Sequence, residues 1–322
     1  MILITGSAGF IGFNLAELLL TNNFKVIGID NLNNYYDKSL KLSRLKILKR
    51  NDNFTFHKID LLKIKSLESV LKKYKPTTVV HLAAQAGVRY SFENPDSYID
   101  SNLIVFYNLL QCIQKFKIKK FLYASSSSVY GSLDKKNKYL ETDNTDSPRS
   151  LYAATKKSNE LLAYYYANTF KIKMYGLRFF TVYGPFGRPD MSLFIFVKNI
   201  INNKPIDVFN FGKHKRDFTY VDDITNYIYA LIKVDNSNFN YHEIFNLGNG
   251  SPRKLMDYIK IIEKNLSKKA KINFKPMQRG DVYETKADIT KIKKITNFSP
   301  KTDIEKGIKN FIEWYKSYYN VK

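Results

Sequence analysis

Short apolar runs alternate with longer segments of helical periodicity through the first half of the chain. The runs have the length and composition of buried strands, and the segments between them repeat apolar residues at helical spacing. We predict strands over residues 2–4, 25–29, 54–60, 78–82, 120–124 and 173–177. We predict helices from the glycines at 6–12, in the second half of 30–49, and over 65–73, 97–115 and 152–169. Strands separated by helices in this way predict an α/β fold with a parallel sheet and helices on both faces.

The carboxyl ends of parallel strands meet at one edge of a sheet, where open α/β folds bind their ligands. Polar and small residues follow four of the predicted strands, at Asp60, 83–85, 125–128 and 178–181. We therefore expect these residues to line one rim of the sheet, together with the turn that follows the first strand.

The alternation loosens after Arg178. The segment TVYGPFGRPD is rich in turn residues, and short strands over 207–210 and 243–247 are interspersed with helices. We predict a first domain over 1–178 and a smaller mixed α/β domain mainly over 179–322, with residues from roughly 212 to 240 returning to the first. The second domain would close over the rim.

A glycine turn links the first strand to the first helix. Gly6, Gly9 and Gly12 are spaced three residues apart, and the second strand ends at Asp30. Glycines permit tight turns and let a diphosphate approach the main-chain N–H groups at the positive end of a helix. An acid closing the second strand accepts hydrogen bonds from an adenosine ribose, which favours NAD over NADP. The pattern indicates a doubly wound, Rossmann-type site; the alternative is a turn that only packs a helix on a sheet.

The composition is that of a globular protein of one or two domains, with 322 residues, 44% hydrophobic and 25% charged. No apolar run approaches the roughly 18 residues of a membrane span, so we expect no membrane insertion. Cys112 is the sole cysteine, which excludes an intramolecular disulfide and makes a reducing cytoplasm the expected location. We expect no metal site, because the histidines lack ligand spacing; they are His57, His81, His214 and His242.

The formal net charge of +23 leaves nucleic acid, anionic lipid and anionic metabolites open as partners. The lysines are spread over the whole chain without a basic tail. No segment combines basic and aromatic residues in a nucleic-acid recognition motif. We therefore expect ordinary solvated lysines and no nucleic-acid partner.

Tyr152 and Lys156 stand four residues apart on a predicted helix and therefore share a face. An ammonium beside a phenol lowers the pKa of the phenol, and an oxidised nicotinamide nearby would lower it further. Such a tyrosine can act as a general base toward an alcohol. Residues 125–128 are four serines at a strand end, where a hydroxyl can relay a proton. The alternatives are chance spacing in a chain rich in tyrosine and lysine, and a serine turn or cap.

Several segments together resemble one family. They are GSAGFIG, DNLNNYYD, HLAAQAGVRYS, SSSSVYG, YAATK, LRFFTVYGPFGRPDM, RDFTYVDDI and RGDVYETKAD, and they extend over nearly the whole chain. This set is similar to the nucleotide-sugar epimerases and dehydratases of the extended short-chain dehydrogenase/reductase family. Within that family, HLAAQAGVRYS and GPFGRPDM most resemble the UDP-glucuronate 4-epimerases.

The resemblance implies a tightly bound NAD that is regenerated in each turnover. It assigns the NAD diphosphate to Gly6, Gly9, Phe10, Ile11 and Gly12, the adenosine ribose to Asp30 and Asn33, and the adenine to Asp60 and Leu61. It assigns the nicotinamide half to Ala83, Ala84, Gln85 and Asn102, with Asn31, Leu82, Tyr152, Lys156 and Phe180 also at the cofactor.

The same resemblance implies a catalytic set of Ser126, Tyr152 as the base, and Lys156 as its modulator and ribose ligand. It assigns the substrate to Ser126, Ser127 and Thr181, its diphosphate to Arg216 and Arg279, and a sugar carboxylate to Arg188 and Arg89. A guanidinium fork suits a carboxylate. For each arginine the alternative is a solvated surface charge or a structural role in its loop.

The serines also separate the reactions of this family. The resemblance places Asp-Glu before Val-Tyr-Gly in dehydratases and Glu there in uronate decarboxylases, whereas this chain has Ser127 and Ser128. We therefore expect 4-epimerisation of a UDP-sugar, UDP-glucuronate to UDP-galacturonate, through a transient 4-keto sugar. The alternatives are UDP-glucose or UDP-N-acetylglucosamine as substrate, and a non-catalytic NAD sensor. The resemblance also implies a homodimer, with the helices around 102–115 and 152–169 forming a four-helix interface.

Overall fold

A seven-stranded parallel sheet lies at the centre of the molecule. The computed structural model describes residues 1–131, 138–235, 237 and 239–321. The strands are β1 Ile2–Thr5, β2 Val26–Asp30, β3 Phe54–Lys58, β4 Thr78–His81, β5 Lys120–Ser126, β6 Lys173–Phe179, β7 Thr181–Tyr183, β8 Ile206–Val208, β9 Lys215–Arg216, β10 Phe218–Tyr220, β11 His242–Leu247, β12 Arg253–Lys254 and β13 Ile272–Phe274. The main sheet has the order β11-β6-β5-β4-β1-β2-β3 with every neighbouring pair parallel. The order reverses between β1 and β4, so the ligand crevice is expected at the carboxyl ends of these strands.

Helices connect the strands and cover both faces of the sheet. They are α1 Phe10–Thr21, α2 Lys38–Leu48, α3 Ile64–Tyr74, α4 Tyr90–Glu93, α5 Asp96–Tyr98, α6 Val105–Lys115, α7 Leu151–Phe170, α8 Ser192–Ile201, α9 Val221–Lys233, α10 Leu255–Leu266, α11 Thr290–Thr296 and α12 Ile304–Tyr319. A π-helix, Ile99–Ile104, joins α5 to α6. The predicted α/β class with a parallel sheet is confirmed.

The sheet is buried on both faces. In β1, Ile2 and Ile4 belong to a core formed with α1 and α9, whereas Leu3 belongs to a core formed with α3, α6 and α7. Every residue of β1 and β2 is buried. Because both faces are covered, these strands have continuous apolar sequences and lack the alternation of half-exposed strands.

Two predicted elements differ in detail from the structure. The helix predicted over 97–115 consists of α5, the π-helix and α6 in succession. The strand predicted over 207–210 is wrong at its end, because β8 stops at Val208. Asn210 and Phe211 adopt left-handed φ values of 52° and 50°, which turn the chain out of the extended conformation.

The later part of the chain builds a second core from α8, α10 and α12 together with β7, β8 and β10. Within it the rings of Phe218 and Tyr258 stack at 4.1 Å. However, β11 pairs with β6 in the main sheet, and α9 packs against α1. Residues beyond 212–240 thus also contribute to the main sheet and its covering helices. The division into two domains stays a prediction. Across the described ranges, the structure contains no helix with the length and apolarity of a membrane span.

Candidate active site

The glycine turn between β1 and α1 brings three backbone segments close together. Gly6 has a φ of 73°, and a Cβ at this position would lie 2.7 Å from the backbone nitrogen of Ala83. A Cβ on Gly12 would lie 2.1 Å from the carbonyl oxygen of Gly6. Gly9 is the N-cap of α1 and supplies no side chain to the N–H groups of residues 10–12. This donor set, free of side-chain bulk, fits a dinucleotide diphosphate.

Asp30 closes β2 beside this turn. Its Oδ2 accepts a hydrogen bond from the backbone N–H of Ala8 at 3.2 Å, and its Oδ1 accepts one from Leu32 at 2.8 Å. The carboxylate braces the turn, and carboxylate oxygens retain further lone pairs for ribose hydroxyls. Lys41 donates to the backbone and side-chain oxygens of Asn33 at 3.0 and 2.7 Å. The side-chain oxygen of Asn33 is thus already engaged by the protein.

The adenine and nicotinamide candidates follow β3 and β4. Asp60 accepts a hydrogen bond from Leu62 N–H at 3.0 Å, and Leu61 beside it is buried. The N–H groups of Leu82 and Ala83 donate to the carbonyl and hydroxyl oxygens of Thr5 at 3.1 and 3.3 Å. These contacts bring the end of β4 next to the glycine turn.

Asn102, in the π-helix, is buried and fixes the loop after β4. Its Oδ1 accepts from Gln85 N–H at 2.9 Å, and its Nδ2 donates to Gln85 O at 3.0 Å and Thr155 Oγ1 at 3.1 Å. Its amide is therefore occupied by protein groups. Asn102 thus supports the loop that carries Ala84 and Gln85, and its predicted contact with the cofactor stays a prediction.

Ser126, Tyr152 and Lys156 meet at the carboxyl end of β5. Tyr152, in the first turn of α7, shares a hydrogen bond with the Ser126 side chain. Lys156 Nζ donates to the carbonyl oxygen of Ala124 at 2.9 Å. Ser126 Oγ also accepts from the N–H of Ser128 at 3.1 Å. The structure thus brings the three predicted catalytic residues together.

Burial dominates the electrostatics of this trio. It raises the pKa of Tyr152, and hydrogen bonding to Ser126 and the charge of Arg188 lower that pKa only in part. Burial lowers the pKa of Lys156 to about 8. The ammonium of Lys156 is directed at the carbonyl oxygen of Ala124, and that it lowers the pKa of Tyr152 stays a prediction. The neighbouring cation that favours the phenolate is Arg188.

Arg188 lies beside Tyr152 and is already paired with a carboxylate. Its Nε donates to Asp190 Oδ1 at 3.0 Å and its Nη2 to Asp190 Oδ2 at 2.5 Å. Tyr35 also donates to Asp190 Oδ2, at 3.2 Å. Arg188 lines one cavity together with Phe10 and Thr181. The guanidinium of Arg188 therefore has a fixed orientation. Its remaining N–H groups can bind a ligand, but Asp190 balances most of its charge.

Arg216 lies in a second charged group. Its Nη1 donates to the carbonyl oxygens of Lys215 and Tyr283, both at 3.0 Å, and its Nη2 lies 3.5 Å from Asp281 Oδ1. Burial lowers the pKa of Arg216, and Asp281 opposes that effect. Burial also opposes ionisation of Asp281, but His214 and Arg216 outweigh it and hold the pKa of this carboxyl below its usual value.

The other two predicted arginines border this group. Arg279, exposed, lies over the ring of Phe92 at 4.8 Å and is two residues before Asp281. Arg89 lies over the ring of Phe209 at 4.8 Å, and its charge acts on Arg216 and Asp281. The charge of Arg89 therefore reaches the Arg216 group, and its predicted role as a ligand of the sugar carboxylate stays a prediction.

Phe180 and Thr181 follow β6 at the same rim. Phe180 is buried, with its ring centroid 6.4 Å from that of Tyr130 and 6.3 Å from that of Tyr139. Ser127 begins a 3₁₀ turn directly after β5. In the described part of the chain, no group of three or more His, Cys, Asp or Glu side chains is arranged to hold a metal ion.

Comparison with known proteins decides the family. A model of the NAD dependent epimerase/dehydratase family matches residues 2–248. This chain belongs to that family. The NAD-dependent chemistry of the family agrees with the glycine turn, Asp30 and the rim residues described above.

Relatives of this epimerase/dehydratase include characterised sugar-nucleotide enzymes. It is 44% identical to a UDP-glucuronate 4-epimerase of Thermodesulfobacterium geofontis, over 98% of this chain and 95% of the relative. Its fold matches the Bacillus cereus UDP-glucuronic acid 4-epimerase solved with UDP-glucuronic acid and NAD, with a TM-score of 0.93, 34% identity and 99% coverage of both chains. The UDP-glucose 4-epimerase of Thermotoga maritima solved with UDP-glucose gives a TM-score of 0.89 at 28% identity, again over 99% of both chains.

The epimerase/dehydratase fold also contains a buried ion pair behind the catalytic trio, which the sequence reasoning missed. Arg178 donates to both oxygens of Glu160, at 2.9 and 2.8 Å, and Ser125 Oγ donates to Glu160 Oε1 at 2.6 Å. Glu160 follows Lys156 by four residues, so both lie on one face of α7. That spacing was the available signal, since a carboxylate on a buried helix face needs a partner.

Proposed function

We propose that this chain is a UDP-glucuronate 4-epimerase that forms UDP-galacturonate. The observation that carries the proposal is the meeting of Ser126, Tyr152 and Lys156 beside Arg188, at a strand end where positions 127 and 128 are serines. Tyr152 can take the proton of the sugar hydroxyl once the positive charge of a bound, oxidised nicotinamide lowers its raised pKa, and the 3₁₀ turn lacks a carboxylate that would assist elimination. The likeness to UDP-glucuronate 4-epimerases supports the same substrate.

In the proposed reaction Tyr152 takes the proton of the sugar 4-hydroxyl, and Ser126 stabilises the same oxygen by a hydrogen bond. Residues 6–12 and Asp30 would hold NAD, and the chemistry that it would supply there is reversible transfer of the C4 hydride, with return to the opposite face of the sugar. Lys156 holds a positive charge at the end of β5 and is a ligand for the nicotinamide ribose. The arginines Arg216 and Arg279, with Arg89, anchor the diphosphate of the substrate while the sugar turns over.

The cofactor ligands are part of this proposal. Residues 6–12 hold the diphosphate of NAD, Asp30 with Asn31 and Asn33 the adenosine ribose, and Asp60 with Leu61 the adenine. Leu82 to Gln85, together with Phe180, enclose the nicotinamide. Because NAD is regenerated in each turnover, activity needs no added reductant and NAD should copurify with the protein.

A second candidate substrate is the neutral UDP-glucose. The observation in its favour is the Arg188–Asp190 pair, because a guanidinium already bound to a carboxylate adds little net positive charge for a uronate. The structural likeness to a UDP-glucose 4-epimerase is consistent with this candidate.

Turnover of UDP-glucuronate, UDP-glucose and UDP-N-acetylglucosamine, with product sugars separated and identified, tests the proposal. We expect UDP-glucuronate to have the highest kcat/KM, and Arg188→Met to lower it selectively. Arg50→Met, at an exposed arginine, is the matched control. A higher kcat/KM for a neutral sugar would overturn the substrate, and full UDP-glucuronate turnover by Arg188→Met would overturn the carboxylate role. Bound NAD without turnover of any of the three would indicate a sensor.

We also propose that the chain forms a homodimer through α6, α7 and the preceding π-helix. These elements expose large apolar side chains at helical spacing: Ile104 (46%), Tyr107 (44%), Leu161 (60%), Tyr164 (60%) and Tyr165 (58%). Two helices packed against each other and presenting one apolar face suit a four-helix interface with a second copy. The cytoplasmic location expected from the single cysteine, buried in the structure, remains a prediction.

A further inference from the structure

Arg44, on α2, is fully buried although it lies outside every site predicted from the sequence. Its Nη1 donates to the carbonyl oxygen of Ala8, in the glycine turn, at 2.8 Å and to the hydroxyl of Tyr36 at 2.8 Å. Its Nη2 donates to the carbonyl oxygen of Phe186 at 2.5 Å. One guanidinium therefore joins the turn that faces NAD to the loop that leads to Arg188.

Arg44 makes no direct ion pair with any described Asp or Glu, and its three acceptors are neutral. Asp30 is a carboxylate at the same turn: it accepts from the N–H of Ala8, whose carbonyl oxygen accepts from Arg44. Lys41, one helical turn before Arg44, is a second buried cation, and the charge of Asp30 also acts on it. Two buried cations thus share this carboxylate, so an anion placed at the glycine turn would be stabilised by Arg44 through a low-dielectric interior.

The Phe186 end of the link is held firmly. Phe186 adopts a left-handed φ of 58°, which a bulky residue keeps only where its surroundings enforce it. Its ring packs against Phe13 of α1 at 4.7 Å and against Trp314 of α12 at 5.0 Å. The loop carrying Arg188 is thus tied both to the first helix after the glycine turn and to the second core.

A parallel link runs through the neighbouring tyrosine. Tyr35 donates to Asp190, the carboxylate that orients Arg188, while Tyr36 accepts from Arg44. Both tyrosines belong to the DNLNNYYD segment, whose only predicted role was at the ribose of NAD. This segment therefore contacts the substrate loop as well as the cofactor side.

We propose that Arg44 is a positioning residue that couples the NAD-binding turn to the Arg188 loop, so that NAD and the uronate sugar of the substrate strengthen each other's binding. The inference rests on the proposed function, since it assigns NAD to the glycine turn and the sugar carboxylate to Arg188. Ordering of one loop by its ligand orders the other through the shared guanidinium. By thermodynamic reciprocity, UDP-glucuronate should then tighten NAD by the same factor that NAD tightens UDP-glucuronate. This coupling helps the enzyme to retain NAD while its sugar turns over.

The test measures the dissociation constant of NAD in NAD-stripped protein, with and without saturating UDP-glucuronate, by titration calorimetry. In the wild-type chain we expect UDP-glucuronate to tighten NAD binding by roughly 5- to 150-fold, the usual range of such couplings. In Arg44→Met the ratio should fall to about one, and NAD alone should bind more weakly because the buried cation is gone. A purely structural role would weaken both ligands and leave the ratio unchanged, which would overturn the proposal.

Arg44→Lys decides the matter if Arg44→Met does not fold. A lysine keeps the charge, but a single ammonium does not reproduce the fork that reaches both Ala8 and Phe186. We expect near-normal affinity for NAD alone and a lost UDP-glucuronate effect; a full UDP-glucuronate effect in Arg44→Lys would overturn the proposal. Tyr36→Phe, which keeps both carbonyl contacts, is the control and should retain the coupling. Failure of the proposed function would show separately, as absent turnover of UDP-glucuronate in a wild-type protein whose binding of UDP-glucuronate and NAD remains coupled.

Discussion

Breaking the ion pair between Glu160 and Arg178 tests how the catalytic helix is held against the sheet. Glu160→Gln preserves size but removes the negative charge, and only one of its two terminal atoms can accept from Arg178. The two side chains are 6% and 4% exposed, so the guanidinium would stay buried without a charged partner. Removing one member of such a pair costs about 3–5 kcal/mol.

That cost corresponds to a fall of roughly 4–7 °C in the thermal midpoint for a chain of this size. Thermal midpoints should be measured by calorimetry and the free energy of unfolding by urea titration. Both need one fixed NAD concentration, because bound cofactor itself stabilises the fold. Ser125, which donates to Glu160, precedes Ser126 in β5. We therefore also expect Glu160→Gln to lower kcat more than it changes KM.

Asp146→Asn is the matched control, since it removes the same kind of charge from a pair with Lys157 in which Asp146 is 71% exposed. Exposed pairs contribute less than about 1 kcal/mol. Replacing Glu160 and Arg178 together by methionine removes both charges and should destabilise less than Glu160→Gln alone. A midpoint for Glu160→Gln equal to that of Asp146→Asn would refute the reasoning.

Three further predictions follow from the structure. Gly12→Ala should abolish copurification of NAD, because its Cβ would lie 2.1 Å from the Gly6 oxygen. The assay measures the nucleotide released on denaturation, and Asn22→Ala, at the far end of α1, is the control that should retain NAD. NAD retained by Gly12→Ala would contradict the assignment of this turn to the cofactor. Burial lowers the pKa of Lys156 to about 8, below its ordinary value of 10.5. Between these two pH values the unfolded chain keeps the lysine proton more readily than the folded chain, so the free energy of unfolding rises with pH. From roughly pH 8 to 9.5 the NAD-free wild type should gain about 2 kcal/mol relative to Lys156→Met in urea unfolding; equal slopes would show that the ammonium is solvated. Leu161→Glu should yield monomers in light scattering, whereas Leu42→Glu, 55% exposed on α2, should not; dimers of Leu161→Glu would place the interface elsewhere.

The alternation of apolar runs and helical segments was sufficient to predict six strands of the main sheet. Runs such as residues 2–4 are buried on both faces and so carry their own signature in the sequence. The place of β11 at the edge of this sheet was not predictable in the same way. Its pairing with β6 joins segments far apart in the chain, and local periodicity does not specify a distant partner.

The same distinction between local pattern and distant pairing applies to the residues of the candidate site. Gly6, Tyr152 and Lys156 are recognisable because their chemistry depends on short, fixed spacings within one element. The partners of charged groups are not recognisable in this way. That Lys156 is directed at Ala124, or that Arg188 is bound to Asp190, depends on which oxygens the folded chain brings within reach.

The sequence by itself determined the α/β class, because it follows from local pattern. The glycine turn with Asp30, the serine cluster and the spacing of Tyr152 and Lys156 are also visible in it, whereas the choice of Ser126 within the cluster rests on the family resemblance. Only the tertiary structure decided that Asn102 supports a loop, that Arg89 joins the Arg216 group and that Arg44 connects two loops. The physical reason is desolvation. A charge or amide removed from water must find its partner inside the protein, and that partner is chosen by packing between distant segments.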